Sequence, residues 1–305
     1  MRYIEVCIDT PAPELDSRCE ALAALGAEGF VIENEADFRD FLENNRQYWD
    51  YVDESLESAY RGVSRIKCYL TDDEQGEAVL TRIKGAFPEA VSGYTADEDW
   101  ENSWRECYEP IEVGERLVVV PEWMDAPDDG RTPLRLDPGI AFGTGSHHTT
   151  RLCLAALEGF VTPETRVLDL GCGSGILGIG ALMLGAADCT GCDVDPKAPD
   201  AAMANAALNG IGEDKIHVCA GDIIKDSSLR RRLGGGYELV LANIVADVII
   251  ALAPLARGFM AEGGTFICSG IIDERADEVA AALKRAGMQI QAHTQEEEWH
   301  CYVCR

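Results

Sequence analysis

Apolar residues recur at every second position in RYIEVCID (residues 2–9), which predicts a strand with one buried face. In APELDSRCEALAALG (12–26) the spacing changes to three and four and the run ends on Gly26, which predicts a helix. EGFVIE (28–33), VSRIKCYLT (63–71) and AVSGYTA (90–96) read as further strands, and DDEQGEAVLTRIKGAF (72–87) as a second helix. The intervening ADFRDFLENNRQYWDYVDESLESAYRG (36–62) is strongly acidic and reads as helical or irregular. The order β-α-β followed by β-α-β predicts a smaller N-terminal ferredoxin-like α+β domain over residues 1–96.

A hydrophilic stretch over 97–115 reads as a linker containing a helix, with Trp100 and Trp104 four apart on one packing face. Residues 116–305 then alternate strand and helix patterns, which predicts an α/β fold with a doubly wound parallel sheet. Strands are expected near 166–170, 188–193, 215–219, 237–242 and 264–269. The tail MQIQAHTQEEEWHCYVCR adds two more and is expected to end the sheet in an antiparallel pair.

Composition narrows the setting. The 305 residues allow one large and one small domain. No run approaches an apolar span of ~20 residues, and acids occupy the place where a signal peptide would carry its apolar run. A cytoplasmic protein is expected. Twelve cysteines include two C-x-x-C pairs, Cys189/Cys192 and Cys301/Cys304. Both pairs fall in strand-like runs, where residues three apart face opposite sides, so neither is expected to hold a metal. The net charge of −28 repels nucleic-acid phosphates and favours a cationic partner, or serves only to keep the surface soluble.

The chemistry centres on VLDLGCGSGILGIG (167–180), a strand running through a glycine turn into a helix. Gly173, Gly175 and Gly178 match a dinucleotide fingerprint, while Asp169, Gly171, Gly173 and Gly175 match D-x-G-x-G-x-G. A carboxylate at Asp169 is a poor neighbour for pyrophosphate. It suits S-adenosyl-L-methionine, which carries an ammonium and a sulfonium, and the glycines would let the backbone approach it closely. Asp193, in GCDVDP, is placed for ribose hydroxyls, whereas Asp195 is expected to cap the following helix. Asp222 ends the next strand and reads as an adenine contact or a turn residue. Asn243, past the apolar run of YELVLANIVA, would orient a polar group beside the reacting methyl, or cap the next helix. Thr149 or Thr150 would cap a helix or touch the cofactor. His147 and His148 are adjacent and are expected to point apart, with no metal between them.

DPGIAFGTGSHHTT, VLDLGCGSGILGIGALMLGA, GCDVDPKAPDAAMANAALNG, LANIVADVIIALAPLA and GGTFICSGI together resemble, in order and spacing, the ribosomal protein L11 methyltransferases of the PrmA type. The resemblance is specific over roughly residues 97–305 and looser before them. It implies a Rossmann-like class I methyltransferase sheet, with Thr150, Gly171, Asp193 and Asn243 contacting S-adenosyl-L-methionine. It also implies methylation of the N-terminal α-amine and lysine ε-amines of a basic large-subunit ribosomal protein, recognised by the N-terminal domain. The chain departs from the family pattern at His148, where proline is usual, and at Val245, where leucine is commoner. It also carries SSLRRRLGGG between Asp222 and Asn243, and DFLENNRQYWDYVDES in the N-terminal domain.

Overall fold

The computed structural model describes residues 2–44, 60–96, 109–137 and 147–305, and the chain divides into two compact units, Met1–Tyr108 and Glu109–Arg305. Trp100 and Trp104 lie outside the described residues. Within the stretch expected as a linker and entry into the second domain, Ile111–Val113 forms a strand.

The first unit contains β1 (Arg2–Asp9), α1 (Leu15–Ala24), β2 (Phe30–Asn34), α2 (Glu35–Asn44), β3 (Ser64–Thr71), α3 (Glu74–Ala86) and β4 (Val91–Ala96). Its sheet has the order β2-β3-β1-β4, with β1 antiparallel to both neighbours, so two β-α-β units interleave. Alternation along β1 and β3 puts Ile4, Val6 and Ile8 opposite Leu70, Cys68 and Ile66. All six are buried with Leu22 of α1 and with Val79 and Ile83 of α3. Asp73 starts α3 by accepting the Gly76 N–H at 2.8 Å.

The second unit opens with a small sheet that the strand–helix pattern did not separate from the main one. It consists of β5 (Ile111–Val113), β6 (Leu117–Pro121) and β7 (Thr132–Leu136), with β6 in the centre and buried throughout. Next come α4 (His148–Leu157), β8 (Arg166–Leu170), α5 (Ile176–Met183), β9 (Asp188–Asp193), α6 (Ala198–Leu208) and β10 (Ile216–Ala220). After these follow α7 (Ser227–Leu233), β11 (Tyr237–Asn243), α8 (Ala246–Phe259), β12 (Met260–Ile272), α9 (Asp273–Arg285), β13 (Ile290–Glu296) and β14 (Trp299–Cys304).

The main sheet has the order β10-β9-β8-β11-β12-β14-β13. Its first five strands are parallel, and β14 is antiparallel to both β12 and β13, as the tail pattern predicts. Strand order reverses between β8 and β11, and the carboxyl ends of these strands form the crevice where open α/β sheets bind ligands. The strands are buried on both faces. Val167, Leu239, Leu241, Ile267 and Cys301 pack with α4, α5 and α6, while Leu168, Val240, Phe266, Cys268 and Tyr302 pack with α8 and α9. The C-x-x-C pairs divide between these layers: Cys189 and Cys301 enter the first, Cys192 and Cys304 the second. Among the described residues no cluster could hold a metal ion, and no helix is long and apolar enough to cross a membrane.

Two asparagines one turn apart, Asn205 on α6 and Asn209 just past its end, fasten the small sheet to the large one. Asn205 accepts the Asp137 N–H at 3.0 Å and donates to the Ser174 carbonyl at 2.9 Å. Asn209 accepts the Arg135 N–H and donates back to the Arg135 carbonyl, both at 2.8 Å. Asn205 is completely buried, so its amide replaces water for both backbone groups. Asn205→Ala should lower unfolding stability by about 1–3 kcal/mol, read as a shift in the urea midpoint. An unchanged midpoint would remove this fastening from the account.

Candidate functional site

The glycine turn after β8 is tied sideways to the end of β9. Gly171 N–H donates to the Cys192 carbonyl at 2.8 Å, and Gly221 N–H donates to the Asp193 carbonyl at 2.7 Å. Asp193 itself bridges two turns, with Oδ2 accepting the Gly173 N–H at 2.8 Å and Oδ1 the Asp195 N–H at 2.9 Å. Each carboxylate oxygen offers two lone pairs, so both retain capacity for a further donor. Asp195 does not cap α6. It accepts the Lys197 N–H at 2.9 Å, and the helix begins one residue later. Asp222 makes the hydrogen bonds of a turn residue, to the Ile224 and Lys225 N–H groups at 3.0 and 3.1 Å. It also pairs with the Lys225 ammonium, and that bond holds its carboxyl below the usual range.

Asp169 sits inside β8, not open at the end of the strand. It is 1% exposed, and Oδ2 accepts the Gly178 N–H at 3.0 Å. Gly178 lies in the first turn of α5, where N–H groups lack a partner within the helix. Oδ1 is buried with no hydrogen-bond partner. Burial pushes the Asp169 carboxyl up to about 7, against the opposing pull of the Gly178 bond.

Asn243 ends β11 on the face covered by α4. Its Nδ2 donates to the Thr150 Oγ1 at 3.2 Å, and its Oδ1 is buried and unpartnered. It caps nothing: α8 starts after Val245, without a side-chain cap. Nor does either threonine cap α4. His147 does so, its Nδ1 accepting the Thr149 N–H at 3.3 Å. The His147 ring packs edge-on against Trp299, with centroids 4.5 Å apart. Burial, and then the neighbouring His148, holds this imidazole below its usual range.

His148 turns toward the β13–β14 hairpin, 3.1 Å from Glu296 and 3.4 Å from Glu297, and Arg151 pairs with the same Glu296. The histidines therefore point apart, as expected. Their partners lie at the far end of the chain, and Trp299 was missed because nothing local marks it as more than core.

Gly171 has a neighbour within the protein. A Cβ there would strike Cγ2 of Ile244, so the missing side chain makes room for the protein itself. The residues of DPGIAFGTG from 138 onward lie outside the described residues.

Two buried oxygens without donors, Asp169 Oδ1 inside β8 and Asn243 Oδ1 at the end of β11, thus lie on the two strands that flank the topological switch point. A family model described as "Ribosomal protein L11 methyltransferase (PrmA)" matches residues 2–305. The chain belongs to this family.

Individual relatives agree. A ribosomal protein L11 methyltransferase from Pelotomaculum thermopropionicum is 37% identical over 314 residues, covering 100% of this chain and 99% of the relative. One from Chromohalobacter salexigens is 43% identical over 240 residues, covering 75% of this chain and 78% of the relative. The crystal structure of a ribosomal protein L11 methylase from Lactobacillus delbrueckii subsp. bulgaricus aligns with a TM-score of 0.59 at 33% identity. That alignment covers 65% of this chain and 98% of the other. The Rossmann-like class I architecture expected from the sequence is the one observed.

The buried Asp169 links stability to pH. Its folded pKa, about 7, lies above the ordinary 3.8, so the native state binds this proton more tightly than the unfolded chain does. The stability gained is complete below the ordinary value and is lost as pH rises through about 7. Asp169→Asn keeps the shape and cannot ionise. Relative to the parent, it should gain clearly more stability at about pH 8 than at about pH 5, in urea unfolding at the two pH values. Parallel losses at both would show that Asp169 is not the titrating group.

Proposed function

We propose that this protein methylates ribosomal protein L11, taking methyl groups from S-adenosyl-L-methionine and placing them on amines, the N-terminal α-amine and lysine ε-amines. The observation that carries the reading is Asn243 Oδ1, a buried acceptor without a donor at the end of β11, beside the topological switch point. An amine brings the N–H that this oxygen lacks. The high net negative charge supports a basic macromolecular substrate through long-range attraction. The N-terminal domain, over 1–96, would recognise it, with 97–115 connecting to the methyltransferase domain over 116–305. A cytoplasmic location is part of the same proposal.

The residues fit S-adenosyl-L-methionine. Asp193 would hold the ribose hydroxyls with its spare lone pairs, and Asp222 would face the adenine side. Gly171 and Gly173 would line the methionine side with backbone, and Thr150 would complete that wall while fixing the Asn243 amide. Asp169 Oδ1 would meet the cationic end, and a positive charge beside it favours the ionised carboxylate. When bound, S-adenosyl-L-methionine supplies a methyl group on a sulfonium, already activated for displacement.

The protein's work is alignment and desolvation. Thr150 locks the Asn243 amide so that Oδ1 receives one amine N–H and aims the nitrogen lone pair away from itself. A lysine of ordinary pKa ~10.4 loses its proton more readily in a low-dielectric site, which disfavours the charged form. Burial lowers the pKa of His147 and so disfavours its charged form.

The direct test is methyl transfer from labelled S-adenosyl-L-methionine to unmethylated L11, with mass spectrometry locating the label. Label on the N-terminus or lysines is expected, and absence of label despite cofactor binding would overturn the substrate. Asp193→Ala should weaken cofactor binding by about 1–3 kcal/mol in calorimetry. Unchanged affinity in a folded variant would retire its ribose role.

A further inference from the structure

Two glycines grip a single residue beside the candidate site. Ile244 follows Asn243 directly, and its N–H donates to the Ser269 carbonyl at 3.1 Å. From one side Gly171 leaves room for the Ile244 side chain. From the other, Gly270 leaves room for its backbone: a Cβ on Gly270 would overlap the Ile244 carbonyl oxygen and lie 2.8 Å from the carbonyl carbon and 3.0 Å from the nitrogen. No rotamer relieves an overlap with backbone. Gly270 also has φ +89°, in the region that side chains rarely adopt.

The strand is built for this approach. The β12–β14 pairing runs Cys268 with Tyr302 and then Ile271 with His300, so Ser269 and Gly270 together oppose one residue of β14. This is a β-bulge, a device that re-aims a chain next to a site. Ser269 is fully buried, and its Oγ donates to the His300 carbonyl at 2.8 Å across the bulge.

We propose that Gly270 is a positioning residue for methyl transfer: the Ser269–Gly270 bulge sets the Ile244 peptide and through it the aim of Asn243. The proposal rests on the reading that Asn243 faces the reacting amine. Of the cofactor-holding groups, Asp193 belongs to another strand and bonds Gly173 and Asp195, and only the Gly171 side of the turn meets the Ile244 side chain, so a shift of the Ile244 peptide acts chiefly on Asn243. The signature is therefore a loss in kcat with little change in cofactor affinity.

Gly263 supplies a matched control. It lies in the same strand with φ +74°, and nothing comes within 4 Å of the place where a Cβ would stand. Gly263→Ala thus carries the backbone strain without the collision.

The experiment compares Gly270→Ala, Gly263→Ala and Asn243→Ala in methyl transfer to L11 and in S-adenosyl-L-methionine binding by calorimetry. Gly270→Ala should lose about 100-fold in kcat, the scale of a misplacement near 1 Å. Its cofactor Kd should stay within about twofold and Gly263→Ala should retain the parent kcat. Equal kcat in the two glycine variants overturns the positioning role. Should Asn243→Ala keep the parent kcat, the reading of Asn243 itself fails, whatever Gly270→Ala does.

A second arm covers failure of Gly270→Ala to fold. Gly171→Ala carries the strain of φ +73° as Gly263→Ala does, but its one close collision is with the Ile244 side chain, so adding Ile244→Ala should restore kcat at saturating cofactor by at least about tenfold. No recovery in the double variant overturns the grip on Ile244.

Discussion

A carboxyl group shut away from water closes the turn on which the second unit is organised. Asp169 reaches from β8 to the Gly178 N–H in the first turn of α5, fixing the helix against the strand at the crevice. The helix end attracts negative charge, yet burial outweighs that attraction and leaves the carboxyl titrating near neutrality. Such a group is poorly suited to a structural role alone, because an amide of the same shape would serve the Gly178 bond without a charge. Its second oxygen is buried and without a donor, a desolvation cost that no bond within the protein offsets.

From that turn the other parts of the site fall into order. Backbone bonds carry the glycine turn to β9 and the end of β9 to the turn after β10. On the other side Ile244, seated against Gly171, brings the end of β11 alongside. The helix α4 closes over this line through Thr150 and Asn243. Its own N-terminus is capped by a histidine that leans on Trp299 of the last strand. The crevice is thus drawn together from both ends of the unit, by contacts that span most of its length.

Local pattern explains what was legible. The parallel strands are short apolar runs bounded by glycine and aspartate, so their positions could be read closely. The only sizeable error is β12, which extends on both sides of the expected 264–269, because a bulge and a glycine interrupt its alternation. Asp193 and Asn243 stand out as candidates in the sequence because strand ends at a switch point are where ligands meet an α/β sheet. Caps were read less well. Asp195 and the two threonines are good capping residues by type, but His147 and the backbone of Lys197 hold those positions. Cap choice there depends on tertiary neighbours such as Trp299, which local sequence does not specify. The small sheet of β5, β6 and β7 escaped for a similar reason, since nothing in LVVVP tells which sheet it joins.

The division of the cysteine pairs between the two layers has a chemical consequence. Cys189 and Cys301 lie beneath α4, α5 and α6, whereas Cys192 and Cys304 lie on the opposite side of the same strands. Burial raises the thiols of Cys189, Cys192 and Cys304 far above their ordinary range, so they are poor nucleophiles while the layers stay closed. A thiol-modifying reagent therefore reacts with each only when its own side opens. The fold carries a built-in pair of gauges, one per layer, that can report which side of the sheet loosens first.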